Sequence, residues 1–180
     1  MTYPWSSGEV LTAADLNAYA GLIFITSQSV VGSPTSVTLS NVFSATYDNY
    51  VVVLSNIDCN TDAAGIKIKF SGTAGSTYSA AGYFMEYTSG TINGSYYNLD
   101  ANGVSIGLTS TNNDISLASQ VFNPFLTQYT TVTSQNAGTN YVTNFSGIDK
   151  NAASHTGFTI DPDGAATLTG GTIKVYGYHN

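Results

Sequence analysis

Arginine is absent from this 180-residue chain, and its whole complement of cationic side chains is Lys67, Lys69, Lys150 and Lys174. Set against 11 acidic residues, they leave a formal net charge of −7. Binding to a nucleic-acid backbone requires clustered cations that displace counterions, so nucleic acid is not an expected partner. The same shortage removes attraction to anionic membranes. No apolar run approaches the roughly 18 residues of a spanning helix, so membrane insertion is not expected either. The start, Met1-Thr2-Tyr3-Pro4, has neither a basic n-region nor an apolar h-region. The expectation is a protein without a secretory signal peptide, assembled in the cytoplasm of the cell that makes it and released by lysis.

Reactive side chains are equally scarce. A single cysteine, Cys59, excludes an intrachain disulfide framework. The two histidines, His155 and His179, have no Cys, Asp or Glu at metal-ligand spacing, so no metal is expected. Asp58-Cys59-Asn60-Thr61-Asp62 opens like a calcium loop, but Ala63 stands where the loop needs glycine and Lys69 where it needs glutamate. A polar turn accounts for it better. Glycoside hydrolysis needs two placed carboxylates. The chain has only Glu9 and Glu86 as glutamates, and its aspartates fall mainly in turn-like stretches. No nucleophile elbow and no phosphate-binding loop occurs, so the chain reads as non-enzymatic, with no catalytic residues and no cofactor.

Short β-forming runs separated by turn residues dominate what is there. Hydrophobic residues make up 42% and aromatics 12% of the chain, enough to drive burial of one sizeable core. Strands are predicted over 22–31, 36–42, 50–57, 66–70, 83–88, 104–108, 114–122, 128–135, 141–146, 157–160, 165–168 and 172–178, with a further segment around Tyr96 and Tyr97. Ile66-Lys67-Ile68-Lys69-Phe70 is the cleanest alternation, apolar in and lysine out. Tyr50 to Ile57 is almost continuously apolar, as in a central strand covered on both faces. Asn93-Gly94 and Asn102-Gly103 are hairpin signals. About a dozen short strands with a turn every 8–12 residues predict an all-β fold, an antiparallel β-sandwich of jelly-roll type. Residues 22–180 form this domain, preceded by an arm and short helix over 1–21.

The helix is predicted from its caps. Thr12 is the N-cap with Asp15 three residues on, Leu11 and Leu16 form a hydrophobic staple, and Gly21 supplies the stop. Two turns of helix are marginal in water, so this one must dock on its own domain, a sister subunit or another protein.

Tyrosine is the most prominent recognition residue. Between Tyr78 and Asn102 the chain holds Tyr83, Tyr87, Tyr96 and Tyr97 amid Ser, Gly and Asn. Tyrosine offers rigid amphipathic area at little entropic cost and Asn or Ser adapt their hydrogen bonds, a mixture suited to polar ligands such as glycans. Adjacent strand residues point to opposite faces, so one of Tyr96 and Tyr97 leaves the core. Tyr83, Tyr96, Tyr97 and Asn98 are the candidate ligand-binding residues.

The front segment, Trp5 followed by Gly8-Glu9-Val10-Leu11-Thr12-Ala13-Ala14-Asp15-Leu16-Asn17, resembles a motif at the N-termini of tailed-bacteriophage virion proteins, tail-fibre and head-fibre proteins among them. Three further stretches resemble β-sandwich domains of phage structural proteins: 42–53, Phe122-Asn123-Pro124-Phe125-Leu126, and the ending 168–180. The likeness covers both ends and the middle, and its motifs are structural rather than catalytic. Members often carry arginine at the positions of Lys174 or His179, and larger ones carry a coiled-coil stem that this chain lacks. The resemblance implies a virion structural protein, a homotrimeric short fibre or receptor-binding module that recognises a host surface polysaccharide. The arm around Trp5, Leu11, Leu16 and Tyr19 would then anchor it to sister subunits, a tail adaptor or the major capsid protein. Capsid decoration is the alternative within the same class. A soluble lectin-like binder and a polysaccharide depolymerase are the readings outside it.

Overall fold

Alternation with period two decides the local structure in much of the described part of the chain. In Ile115–Phe122 the side chains of Ile115, Leu117, Ser119 and Val121 are buried while Ser116, Ala118 and Gln120 are exposed. A run of this kind forms a strand with one wet face and one dry face. The computed structural model describes residues 21–61, 64–73, 75, 77–109, 114–138 and 141–178, with backbone alone over 93–101. The predicted helix and arm fall on residues outside these, apart from Gly21.

Twelve strands occur among the described residues. They are β1 (Leu22–Ser29), β2 (Val37–Leu39), β3 (Asn49–Cys59), β4 (Gly65–Phe70), β5 (Tyr78–Glu86) and β6 (Ile92–Ala101), then β7 (Val104–Leu108), β8 (Ile115–Phe122), β9 (Thr130–Ala137), β10 (Tyr141–Asp149), β11 (Phe158–Pro162) and β12 (Leu168–Tyr178). They form two antiparallel sheets, ordered β1-β12-β3-β8-β9-β10-β5-β6 and β2-β11-β4-β7. The sheets pack as a β-sandwich over one core. Tyr50, Leu54 and Ile57 of β3, Ile66 and Ile68 of β4 and Ile106 of β7 are all sealed from solvent within it.

Several boundaries differ from those the sequence predicts. β5 begins at Tyr78, five residues ahead of Tyr83, because Tyr78 is a core residue whose hydroxyl accepts a 2.8 Å hydrogen bond from the Phe70 amide. The strand predicted at 165–168 is not one, since 165–167 form a turn and its exit; the strand predicted at 172–178 instead starts at Leu168 as β12 and runs through Gly170-Gly171 by shifting register twice against β3. At Gly171 (φ 104°) a side chain would meet the carbonyl oxygens of Ser55 and Asn56, so only glycine passes there.

Side chains of the large sheet close the free edge of the small one. Ser134 of β9 donates to the Ile106 carbonyl at 2.7 Å, and receives a 3.0 Å hydrogen bond from Ser119 of β8. Asn136 reaches the Leu108 carbonyl at 3.5 Å and is itself held by Thr143 of β10. An exposed edge of unpaired carbonyls invites association with other chains; here β7 is covered from inside the fold. Close approach of β10 to β7 depends on Gly147, where a Cβ would lie 2.5 Å from Val104 Cγ1.

Candidate functional site

The outer face of the large sheet carries a concave surface. Register places Lys174, Val53, Ala118, Gln135, Asn144 and Tyr83 side by side, one per strand, on β12, β3, β8, β9, β10 and β5. Cross-strand partners share a face of the sheet, so these six form a straight row across it. Beside it, one step along the strands, run Tyr176, Val51, Gln120, Thr133, Ser146 and Ala81. At adjacent strand spacings of about 4.8 Å, five intervals make a row of about 24 Å.

Two depressions of about 580 Å³ each lie along this face. The first has Val53, Tyr83 and Val142 in its lining and the second Leu22, Val51 and Tyr178; both include Ala118, Gln135 and Asn144, which makes them one trough. Small and branched apolar residues give the floor, amides and hydroxyls supply directional donors and acceptors, and aromatic rings stand at both ends. At one end Phe24 packs edge-to-face on Tyr176 with centroids 5.6 Å apart, and Gln120 lies 3.5 Å from the Tyr178 hydroxyl. At the other end Tyr83 is 44% exposed. The lining residues include no carboxylate.

Charge is sorted between the two outer faces. On the small sheet Lys67 pairs with Asp163 and Lys69 with Asp161, so its exposed face is ionic and internally neutralised. That sorting follows from the alternation of β4, which turns both lysines outward opposite the aspartates at the end of β11.

A second cluster of polar groups is buried. Asp149, at the end of β10, is fully enclosed. It accepts hydrogen bonds from Thr73 Oγ1 at 2.7 Å, Thr77 Oγ1 at 2.8 Å and the Asn151 amide at 2.9 Å. His155 Nε2 lies 3.4 Å from the same carboxylate, and its ring stacks on Phe70 with centroids 5.2 Å apart. His155 Nδ1 is 2.7 Å from the Ser71 carbonyl, which can only accept, so Nδ1 carries a proton. The acid–imidazole couple would suit proton transfer if it faced a cleft. Instead both groups are 0% exposed, and their hydrogen bonds go to loop backbone and threonines. The cluster pins the β4–β5 and β10–β11 loops together.

Among the described residues no three His, Cys, Asp or Glu side chains come together as a metal site. Cys59 ends β3, buried, and burial pushes its thiol pKa up, away from thiolate reactivity. Burial likewise raises the phenols of Tyr50 and Tyr78, against hydrogen bonds from Ser44 and from Thr73 and Phe70 that favour the ionised form.

Of the candidate residues read from the sequence, Tyr83 lies in the trough wall. Tyr96, Tyr97 and Asn98 belong to β6, registered opposite Gly82, Ala81 and Ala80, and their side chains lie outside the described residues. Trp5, Leu11, Leu16 and Tyr19 also lie outside them. The residues that the sequence reading missed are Gln135, Asn144 and the Asp149–His155 couple. Alternation in β9 does turn Gln135 outward, but no local signal says that its neighbours across four strands form a concavity. No protein-family model matches this chain, and no curated protein shows significant similarity to it.

Proposed function

We propose that the protein is a structural component of a bacteriophage virion, a short fibre or receptor-binding module that holds a host surface polysaccharide in the trough of its large sheet. The observation that carries the reading is the trough itself. It is free of carboxylates along its lining, floored by Ala118 and Val53, furnished with Gln135 and Asn144, and flanked by Tyr83 and Tyr178. Sugars present alternating hydroxyl edges and apolar ring faces, and amides beside aromatic rings complement both. The N-terminal likeness supplies the virion context and the homotrimer.

The strand pairing supports a jelly roll with two additions. Setting aside β5, β6, β9 and β10, the remaining strands pair as β1 with β12, β2 with β11, β3 with β8 and β4 with β7. A long hairpin rolled on itself has this nested order, a plan shared by viral capsid and lectin domains, which is analogy at the level of fold only. The added strands β9, β10 and β5 extend one sheet, and they bring Gln135, Asn144 and Tyr83. The ligand face is thus an elaboration of the roll.

The test is adsorption of labelled protein to host cells, in competition with the purified surface polysaccharide. Asn144→Ala and Tyr83→Ala each weaken binding about tenfold, the scale of one lost hydrogen bond or stacking contact. Both leave the melting temperature within a degree or two, since neither residue is in the core. Unchanged adsorption in the double variant contradicts the assignment of the trough.

A further inference from the structure

The trough proposal leaves the chemistry of the sugar open, and Lys174 narrows it. Lys67 and Lys69 are neutralised by aspartates on the opposite sheet, and Lys150 is also engaged. Among the described residues no carboxylate pairs with Lys174. Ile173 and Val175 on either side are buried in the core at 0% exposure, which turns Lys174 to the outer face. There it stands in the straight row between Ser27 of β1 and Val53, a row that continues through Ala118, Gln135 and Asn144 to Tyr83, beside the trough lining. Tyr176 follows it two residues along the same face, adding a phenol to the end where the ammonium stands.

We propose, resting on the polysaccharide reading, that the ligand carries a carboxylated sugar, whose acid group pairs with Lys174 while a neutral ring of the same chain stacks at Tyr83. A net charge of −7 on the whole molecule does not oppose this at physiological salt, where charges more than about 8 Å away are largely screened. What a bound sugar feels is the local field, and in the row that Lys174 shares the other side chains are uncharged, with Asp58 of β3 the acidic residue farther along the same face. A charge-assisted hydrogen bond in such a setting is stronger than a neutral one and fixes the direction in which the chain lies.

Uronic and sialic acids share this carboxylate, so the test uses both. The full-length protein is titrated with polygalacturonate, with polysialate and with fully methyl-esterified polygalacturonate, in parallel with the surface polysaccharide of the host. One of the two acids binds about tenfold more tightly than the ester. Lys174→Gln abolishes that difference and Lys174→Arg keeps it, while both variants melt as wild type does. Raising the salt weakens binding to the acid and not to the ester. Equal affinity for acid and ester, a preference untouched by Lys174→Gln, or no binding to either acid overturns the inference. In each of those cases binding of the host polysaccharide still supports the trough as a glycan site; loss of that binding as well overturns both.

Discussion

At the residue scale the buried carboxylate of Asp149 is the most consequential polar group in the fold. Three donors and an imidazole surround it; the imidazole is as fully buried as the carboxylate, and the donors are partly buried. Removing one side of such a network leaves buried donors without acceptors. Asp149→Ala is expected to destabilise the protein by about 3 kcal/mol in urea denaturation, and Thr77→Val by about 1 kcal/mol. A loss below 0.5 kcal/mol for Asp149→Ala would show that the loops are held by something else. The tyrosines give a pH dependence with a definite sign. The folded-state pKa of Tyr50 and Tyr78 is raised by burial, so both phenols ionise more readily in the unfolded chain. Their contribution is complete below about pH 10 and is lost as pH rises from there through the folded-state values. A titration of phenolate absorbance should show Tyr50 and Tyr78 ionising only as near-UV circular dichroism collapses, and their ionisation ahead of that collapse would contradict it. Little of this was legible in the sequence. Asp149 and His155 are six residues apart in a loop-rich stretch, and Thr73 and Thr77 come from a connection more than seventy residues earlier, so no local spacing reveals them.

At the scale of elements the sequence was far more informative, because period two leaves a direct trace. The lysine alternation of β4 lies where period two puts it, while β3, read as covered on both faces, is covered on one and turns Val51 and Val53 to the outer face. Prediction failed where tertiary contacts overrule local signals. Gly170 and Gly171 read as a break between strands, yet the strand runs on through two register shifts against β3, and Gly171 is the glycine that this close passage needs. The glycines of β10 and β7 carry a similar message. A side chain at Gly147 would collide with Val104, and one at Gly107 would meet Leu117 Cδ2 at 2.8 Å. Gly147→Val therefore forces the added hairpin away from the small sheet, with an expected cost of about 1–3 kcal/mol. It should also weaken polysaccharide binding, since Asn144 lies on the same strand. A variant that loses neither stability nor binding would mean that β10 does not depend on this close approach.

The two outer faces of the molecule differ in their chemistry. The small sheet presents matched ion pairs, while the large sheet presents an uncharged trough with aromatic ends and a lone lysine. That division follows from the composition, in which few charges are available and most are committed to one face or to turns. The polarity of the surface then rests on hydroxyls and amides, and the scarcity of lysine and the absence of arginine leave trypsin few cleavage sites. The proposed anchor belongs to this scale as well. Deleting residues 1–20 should abolish incorporation into particles while the sandwich retains its melting temperature, and truncated protein recovered on purified particles would contradict the anchor. The most direct measurement of the central claim is a map of backbone amide shifts by NMR as host surface polysaccharide is added. The account predicts perturbations concentrated at Ala118, Gln135, Asn144 and Tyr83, with Lys67, Lys69 and Asp161 unmoved. Perturbations centred on the small sheet, or none at saturating polysaccharide, would contradict it.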